Sequence, residues 1–395
     1  MKIQEINKLG KELELYTFID YIGKGFPIIL PRGARIIKLL RNYVEYEEEN
    51  AGYKVVRTPS ISNAEIYKIE DRYEIQKDEL FIIKNQNEDN SNEIILKPYT
   101  IPFHCSIYNL EKHSYKELPI KYCETSTVFR NERDIRGITK SRQFTLSDAS
   151  LFCNAEKLQE NIKEAIMLQK KFIKKLDLNV TFEIVTWDDE KKEDYIGTIQ
   201  EWEYAIECMK KALGELNLTY KITKKAKMFG PAIQLYYNEN ELSSLQIDFE
   251  ITHRFDVKYV DKSNEEKFPI YIHNTMCGSY ENLLSILIEK YEGEFPFWLS
   301  PTQAVIIAED TENEEYALYL KEKLIENKIR TQIDKRLKSW QSKITENTNL
   351  KIPYIVKVGK KEQKNNTVTI FNKEKQRVIN IDELIKEVID WQTKC

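Results

Sequence analysis

The sequence lacks any apolar run approaching the roughly 20 residues that a helix needs to span a bilayer, and no membrane partner is expected. The first residues, MKIQEINKLGKELELYTF, are amphipathic and charged, so a signal peptide is not expected in them. Its six cysteines are scattered without a CxxC pair, so reduced thiols in a cytoplasmic protein are expected. It has no internal repeat and no low-complexity tail. A basic excess is absent too. The net charge of −4 argues against a protein that coats nucleic acid nonspecifically, while leaving room for a local basic face. Glycine is scarce, at 12 residues, and no function follows from that. What remains is a balance of 41% hydrophobic and 31% charged residues, which is that of a soluble globular protein. A length of 395 residues sets an expectation of two or three domains with a substantial core.

Residues 124–152, ETSTVFRNERDIRGITKSRQFTLSDASLF, are the most informative stretch. They read as strand, tight charged loop, strand. On that reading Arg130 and Glu132 share one face of the first strand, and Arg142 and Phe144 repeat the spacing on the second. Two cations, a carboxylate and an aromatic ring then converge on one surface. That set suits a nucleotide. Arginine pairs with phosphate oxygens through a fixed fork of donors. The carboxylate can accept from an exocyclic amine, and the ring can stack on a base. An ordinary charged hairpin is the other reading of these residues.

Around this stretch, residues 1–25 hold a short helical pattern and then GKGFP. ARIIKLLRNYVEYEEENAGY has apolar residues at helical spacing, with Gly52 as its stop. KVVRTPSI reads as a strand ending at Pro59. Residues 78–110 read as strands around an asparagine-rich turn at 85–92, and 154–177 as a lysine-rich helix. Residues 180–240 alternate strand, helix and strand. Residues 245–300 hold LQIDFEI, FPIYIHNTM and the helix GSYENLLSILIEKY. The linker GEFPFWLSP then opens a unit whose strands alternate with helices, a small α/β domain. The expected domains are 1–298 and 299–395. Lys335, Arg336, Lys338, Lys360 and Lys361 give the second a moderate basic content, which by itself reads as a solvated face.

The FRNE…RQF pattern resembles motif 2 of class II aminoacyl-tRNA synthetases, and its surroundings resemble the threonyl type from about residue 5 onward. The resemblance implies an α+β fold: a class II antiparallel sheet flanked by helices, followed by an α/β anticodon-binding-like domain. It implies ATP and Mg²⁺ as cofactors. Arg130 would be the catalytic residue on the α-phosphate, with Glu132 on the adenine amine and Phe144 stacked on the ring. Arg142 would serve the γ-phosphate side, and Gln246 would line the site. GKGFPIILPRGARI…GYKVVRTPSI is similar to motif 1, which implies a homodimer through residues 23–61. The C-terminal domain implies a tRNA partner. The ubiquitin-like and editing domains of bacterial threonyl enzymes are not among these residues, so no hydrolysis of mischarged tRNA in cis is expected.

The sequence also departs from that pattern. The family holds zinc with one cysteine and two histidines. Here the KPxxCPxH stretch is KPYTIPFH, with Ile101 in place of the cysteine. Ser150 replaces the histidine after FTQDDA, and His273 alone is kept. Zinc needs three protein ligands and an open position, so no metal site is expected. A regrouped set of His104, Cys105 and His273 is the alternative, and a satisfied buried histidine is the commoner fate of such a residue. Asp148 is kept. It implies recognition of the substrate amino group, and His273 is likewise assigned to the substrate; a solvated or helix-capping aspartate is the alternative to the first. In CGSYEN, Asn282 stands where motif 3 carries its phosphate-clamping arginine. Ala232 stands where the family has the lysine of GPK, and Arg254 is a candidate compensating cation. The expected function is an adenylate-forming ligase: amino acid and ATP give aminoacyl-AMP, then transfer to tRNA, with an amino acid that need not be threonine. The alternative is a degenerate, non-catalytic paralogue that binds tRNA or a partner protein as a regulator. The intact motif 2 favours the enzyme, and Asn282 favours the binder.

Overall fold

A computed structural model describes residues 1–70, 72–83, 93–371 and 376–394. The expected turn at 85–92 lies outside the described residues. The longer helices are α1 (Ile3–Glu12), α2 (Pro31–Asn50), α3 (Ile101–Tyr108), α4 (Leu158–Lys175), α5 (Ile199–Glu215), α6 (Tyr280–Tyr291), α7 (Glu314–Glu326), α8 (Trp340–Asn349) and α9 (Ile381–Lys394). The chain forms two compact units. One takes residues 20–26 and 41–286; the other takes 1–19, 27–40 and 287–395.

The first unit is built on strands β1 (Lys54–Val55), β2 (Ile120–Phe129), β3 (Gln143–Cys153), β4 (Thr181–Val185), β5 (Tyr220–Thr223), β6 (Ala232–Tyr237), β7 (Asn240–Asp248) and β8 (Ile270–Thr275). They form one sheet in the order β5-β4-β6-β7-β8-β3-β2-β1. Every pairing is antiparallel except the two at the edges, β4–β5 and β1–β2. This is the antiparallel sheet that the class II resemblance implies. The central ladder runs from Ile120↔Phe152 to Phe129↔Gln143. Cross-strand partners share a face, so the register decides which side chains meet.

Helix α4 buries Leu158, Ile162, Ala165, Ile166, Phe172 and Ile173 at helical spacing, the apolar stripe that holds it to the sheet. A polar pin adds to it: the fully buried Gln169 amide donates to Ser243 Oγ at 2.7 Å and Asn274 Oδ1 at 2.8 Å, tying α4 to β7 and β8. Thr198 and Glu201 form a capping box that starts α5. An aromatic core lies beneath β2, β3 and β8, where the Phe152 ring sits 4.7 Å from Tyr108 and 5.2 Å from Tyr271.

The second unit contains β9 (Ala304–Ala308), β10 (Thr331–Ile333), β11 (Tyr354–Val358), β12 (Thr367–Phe371) and β13 (Gln376–Asn380), in sheet order β10-β9-β11-β12-β13. Strand β9 runs parallel to both neighbours, and the remaining pairs are antiparallel. Ile306, Val356, Leu320, Leu324 and Leu384 form its core with α7 and α9. This is the α/β domain that the strand–helix alternation implies.

Two local readings are corrected. Residues 101–108 were expected as strand and are the helix α3. IPFHCSIY is a continuous apolar run that periodicity cannot assign, and Pro102 suits a first helical turn. Strand β13 was not anticipated; QRVIN is an edge strand, half exposed and polar. Among the described residues no helix is long and apolar enough to cross a membrane. The five described cysteines are buried and unbridged.

Burial of a carboxylate leaves a pH signature in the first unit. Glu48, in the last turn of α2, is 2% exposed and accepts from Ser147 Oγ at 3.5 Å. Burial pushes its carboxyl up to about 8. The folded chain therefore keeps a proton that the unfolded chain has released, and stability from this group falls as pH rises from about 4.5 to about 8. Glu48→Gln should raise Tm at about pH 8.5 and change it little near pH 4.5. Thermal unfolding of both proteins across that range checks this, and a pH-independent difference would contradict it.

Candidate functional site

A cavity of about 290 Å³ opens on the face of the sheet formed by β3, β8 and β7. Arg130, Phe144, Gln246 and His273, four of the expected site residues, line it. The register explains why. Ser150 in β3 faces His273 in β8, His273 faces Gln246 in β7, and Gln246 faces Ala232 in β6. Phe144, Leu146 and Asp148 share the face of Ser150, because they alternate with it along β3.

Arg130 and Glu132 were expected on the first strand. They lie past its end, since β2 stops at Phe129. The hairpin nonetheless closes: Arg130 N donates to Arg142 O at 2.8 Å. Arg130 is held in place by its Nε, which donates to Pro98 O at 3.1 Å, and its guanidinium lies 5.3 Å from the centre of the Phe144 ring. Glu132 and Arg142 are not cavity-lining residues. Glu132 pairs with Lys140 at 2.9 Å, and its carbonyl accepts from Arg142 Nε at 3.1 Å. Arg142 N in turn donates to Gly25 O at 2.8 Å. The loop is held by such charge pairs and carbonyl contacts instead of a ladder, so period-2 spacing does not carry across it.

Asp148 is neither solvated nor a helix cap. It is fully buried, accepting from Thr100 Oγ1 at 2.5 Å and from His273 Nε2 at 2.5 Å. Burial works against its ionisation. The charge and hydrogen bond of His273, with His104 and Thr100, outweigh that and hold the carboxyl at about 2. The cavity meets the imidazole, and the carboxylate stands behind it.

The zinc that the resemblance implies does not fit these residues. Ile101 presents hydrocarbon to the cavity. Ser150 Oγ is buried between His104 Nδ1 at 2.7 Å and Tyr271 OH at 2.6 Å. His273 spends Nε2 on Asp148. The regrouped alternative fails as well: His104 faces Ser150, with Glu124 at 3.7 Å on its other nitrogen. Among the described residues no three His, Cys, Asp or Glu side chains group to hold a metal ion.

The turns at the cavity rim require glycine. A Cβ on Gly230, at φ +152°, would lie 1.8 Å from Ile247 O. One on Gly278, at φ +59°, would lie 2.6 Å from Leu242 O. Asn282 lines the cavity just after the second turn, and its amide donates to Glu241 O at 2.7 Å. Arg254 does not line the cavity, so it does not stand in for the missing arginine there. Sequence reasoning missed Lys227 and Glu241, which also line it. Lys227 sits three residues before Gly230 in KKAKMFGPA, so the FGP turn was the signal that its neighbourhood reaches the cavity.

In the second unit the basic residues are largely paired. Arg336 binds Asp334 and Glu346, Lys338 binds Glu346 at 2.6 Å, and Lys360 binds Glu312 at 2.8 Å.

Known proteins share this architecture. Residues 77–291 match the family model for the tRNA synthetase class II core domain (G, H, P, S and T), and residues 303–391 match an anticodon binding domain. A threonine–tRNA ligase of Clostridium botulinum is 37% identical over 379 residues, covering 93% of this chain and 59% of the relative. That of Aquifex aeolicus is 34% identical, covering 99% and 61%. The chain thus spans about three fifths of the length of these relatives. The RNA binding domain of threonyl-tRNA synthetase from Cryptosporidium parvum Iowa II has the same fold, with a TM-score of 0.86 at 26% identity over 98% of both chains. The chain belongs to the class II tRNA synthetase core family, and its homologues there are threonine–tRNA ligases.

Proposed function

We propose that the chain is a cytoplasmic, homodimeric adenylate-forming ligase that activates an amino acid with ATP and passes it to tRNA, selecting that amino acid without zinc. The observation that carries this is the meeting of Arg130, Phe144, Gln246 and His273 at one cavity. A substrate carboxylate oxygen attacks the α-phosphorus, a new O–P bond forms, and the bond to the bridging oxygen breaks to release pyrophosphate. Arg130, oriented by Pro98 O, stabilises the charge on the five-coordinate phosphorus. Phe144 stacks on adenine. Glu132 and Arg142 act on the adenine amine and the γ-phosphate side as the loop between β2 and β3 folds over the nucleotide. Lys227 supplies a cation where Ala232 and Asn282 supply none. Glu241 is the carboxylate that would hold Mg²⁺; when bound, the ion neutralises phosphate charge.

Residues 303–391 would hold the tRNA, and residues 23–61 would form the dimer contact. The acceptor and the amino acid are parts of the proposal, since the chain spans only part of its relatives. The second reading, a non-catalytic regulator, rests on one observation: Asn282 cannot clamp a phosphate with charge.

ATP–pyrophosphate exchange across the proteinogenic amino acids separates the two. One amino acid should drive exchange, and Arg130→Ala should lower kcat/KM for it about 10²–10³-fold. Phe144→Ala should raise KM for ATP about tenfold, in line with the loss of one base–ring stack. A folded protein that binds tRNA yet supports no exchange with any amino acid would overturn the enzymatic reading in favour of the regulator.

A further inference from the structure

The second unit holds a cationic cavity that the catalytic reading leaves unused. It has a volume of about 400 Å³ and lies at the N-terminal ends of the parallel strands β9 and β10, where Thr302 precedes one and Thr331 opens the other. Arg32, Arg35, Lys328 and Arg330 line it, and among the described residues neither a carboxylate nor an aromatic ring does. Arg35 and Lys328 are exposed, while Arg32 and Arg330 are half-buried and fixed by neutral groups. Arg32 donates from Nε to Leu13 O at 3.0 Å and from Nη2 to Leu350 O at 2.6 Å. Arg330 donates from Nε to Ser300 O at 3.1 Å and from Nη2 to Trp298 O at 2.8 Å. These carbonyls hold the guanidinium groups in place without cancelling their charge. Burial, with the Arg35 charge added, pushes Arg330 down to about 10, so it stays protonated at neutral pH. Glu14 is the carboxylate whose field reaches Arg32, and it does not line the cavity. Helix α2 begins at Pro31 in the cavity wall, which brings the positive end of its dipole to the same place. Elsewhere in this unit Arg336, Lys338, Lys360 and Arg377 are each matched by a carboxylate. Arg32, Arg35 and Arg330 form no ion pair among the described residues. In a chain of net charge −4, four cations around a cavity with no acid in its lining are the local basic face that composition left room for.

We propose that this cavity is an oxyanion site that takes phosphate groups, supplied by an RNA backbone or by a free polyphosphate. The carbonyls engage Nε and Nη2 of Arg32 and Arg330 and leave Nη1 of each uncommitted, a charged donor suited to a phosphate oxygen. With no ring to stack on, a base gains little here, so the contact is to phosphate and carries no sequence choice. The RNA source rests on the proposed role of residues 303–391 in holding tRNA; the free source does not. Arginines that merely brace loop carbonyls would leave phosphate binding indifferent to changes at the exposed Arg35 and Lys328.

The test is calorimetric titration of the purified full chain with inorganic tripolyphosphate, beside filter binding of unfractionated tRNA across a salt series. The double variant Arg35→Gln, Lys328→Gln spares Arg32 and Arg330 with their carbonyl contacts, and Tm confirms that it is folded. Loss of two exposed cations should weaken the responding ligand about tenfold. A fall in tRNA affinity, with the slope of log K against log salt shallower by about 1 to 2, names the RNA backbone as the source. A fall for tripolyphosphate with tRNA binding unchanged names a free polyphosphate. A wild-type chain that binds neither, or a double variant with unchanged affinity for both, overturns the proposal. So does tripolyphosphate binding that the double variant keeps and Arg130→Ala abolishes, because the anion then sits in the cavity of the first unit. Residues 23–61 are the proposed dimer contact, so light scattering gives the mass of each protein. A double variant that becomes monomeric while binding phosphate as wild type does would assign these cations to a second copy and overturn the site. ATP–pyrophosphate exchange without tRNA reads the catalytic cavity alone: its absence sinks the adenylation reading and leaves this site standing.

Discussion

The register between β3, β8, β7 and β6 is the constraint on which the rest of the first unit depends. A one-residue slip of any of these strands would turn its cavity-facing side chains to the opposite face. In the observed register Ser150, His273, Gln246 and Ala232 form one row across four strands. Phe144, Leu146 and Asp148 extend that face along β3. The cavity is thus a property of strand pairing. Side chains from residues 144, 246 and 273 meet there because the ladders turn them to one face.

Charge is buried on the same face, and its arrangement shows what it is for. Lys97 and Glu124, 1% and 4% exposed, pair at 3.1 Å and share Thr58. Burial raises the Glu124 carboxyl, while His104, Lys97 and Thr58 pull it lower than usual overall. Such a pair is weak evidence for stability, because desolvation offsets most of its attraction. Its geometric effect is firmer. Lys97 and Pro98 precede Thr100 and Ile101, so anchoring Lys97 also places the carbonyl that holds Arg130 and the hydroxyl that caps Asp148. Two separate charge clusters are therefore set by one short stretch of backbone.

Most of the architecture was legible in the residues. The long amphipathic helices and the alternating strands of the C-terminal unit follow from periodicity. Its charged edge strand does not, because an exposed edge needs no apolar pattern. Residues 101–108 were misread because a fully buried helix and a buried strand look alike in eight apolar residues. At the site, Arg130 and Phe144 stood out by their spacing, while Gln246 and His273 were reached only through the family resemblance. The placement of Glu132 and Arg142 was not legible, since an irregular loop obeys its own charge pairs. The partnership of Asp148 with His273 was also hidden. The two are 125 residues apart in the chain, and only the β3–β8 ladder makes them neighbours.

The Gln169 pin lies on the other side of that ladder. It grips Ser243 and Asn274, the residues that precede Ser244 and follow His273, from the helix-covered face. The spacing of β7 and β8 is therefore maintained by a buried amide on the helix that packs behind the sheet. A scaffold fastened in this way can trade one recognition chemistry for another by changing a few inward side chains, without re-registering a strand. Ser150 occupies one position in that fixed register, and Ile101 lines the cavity beside it.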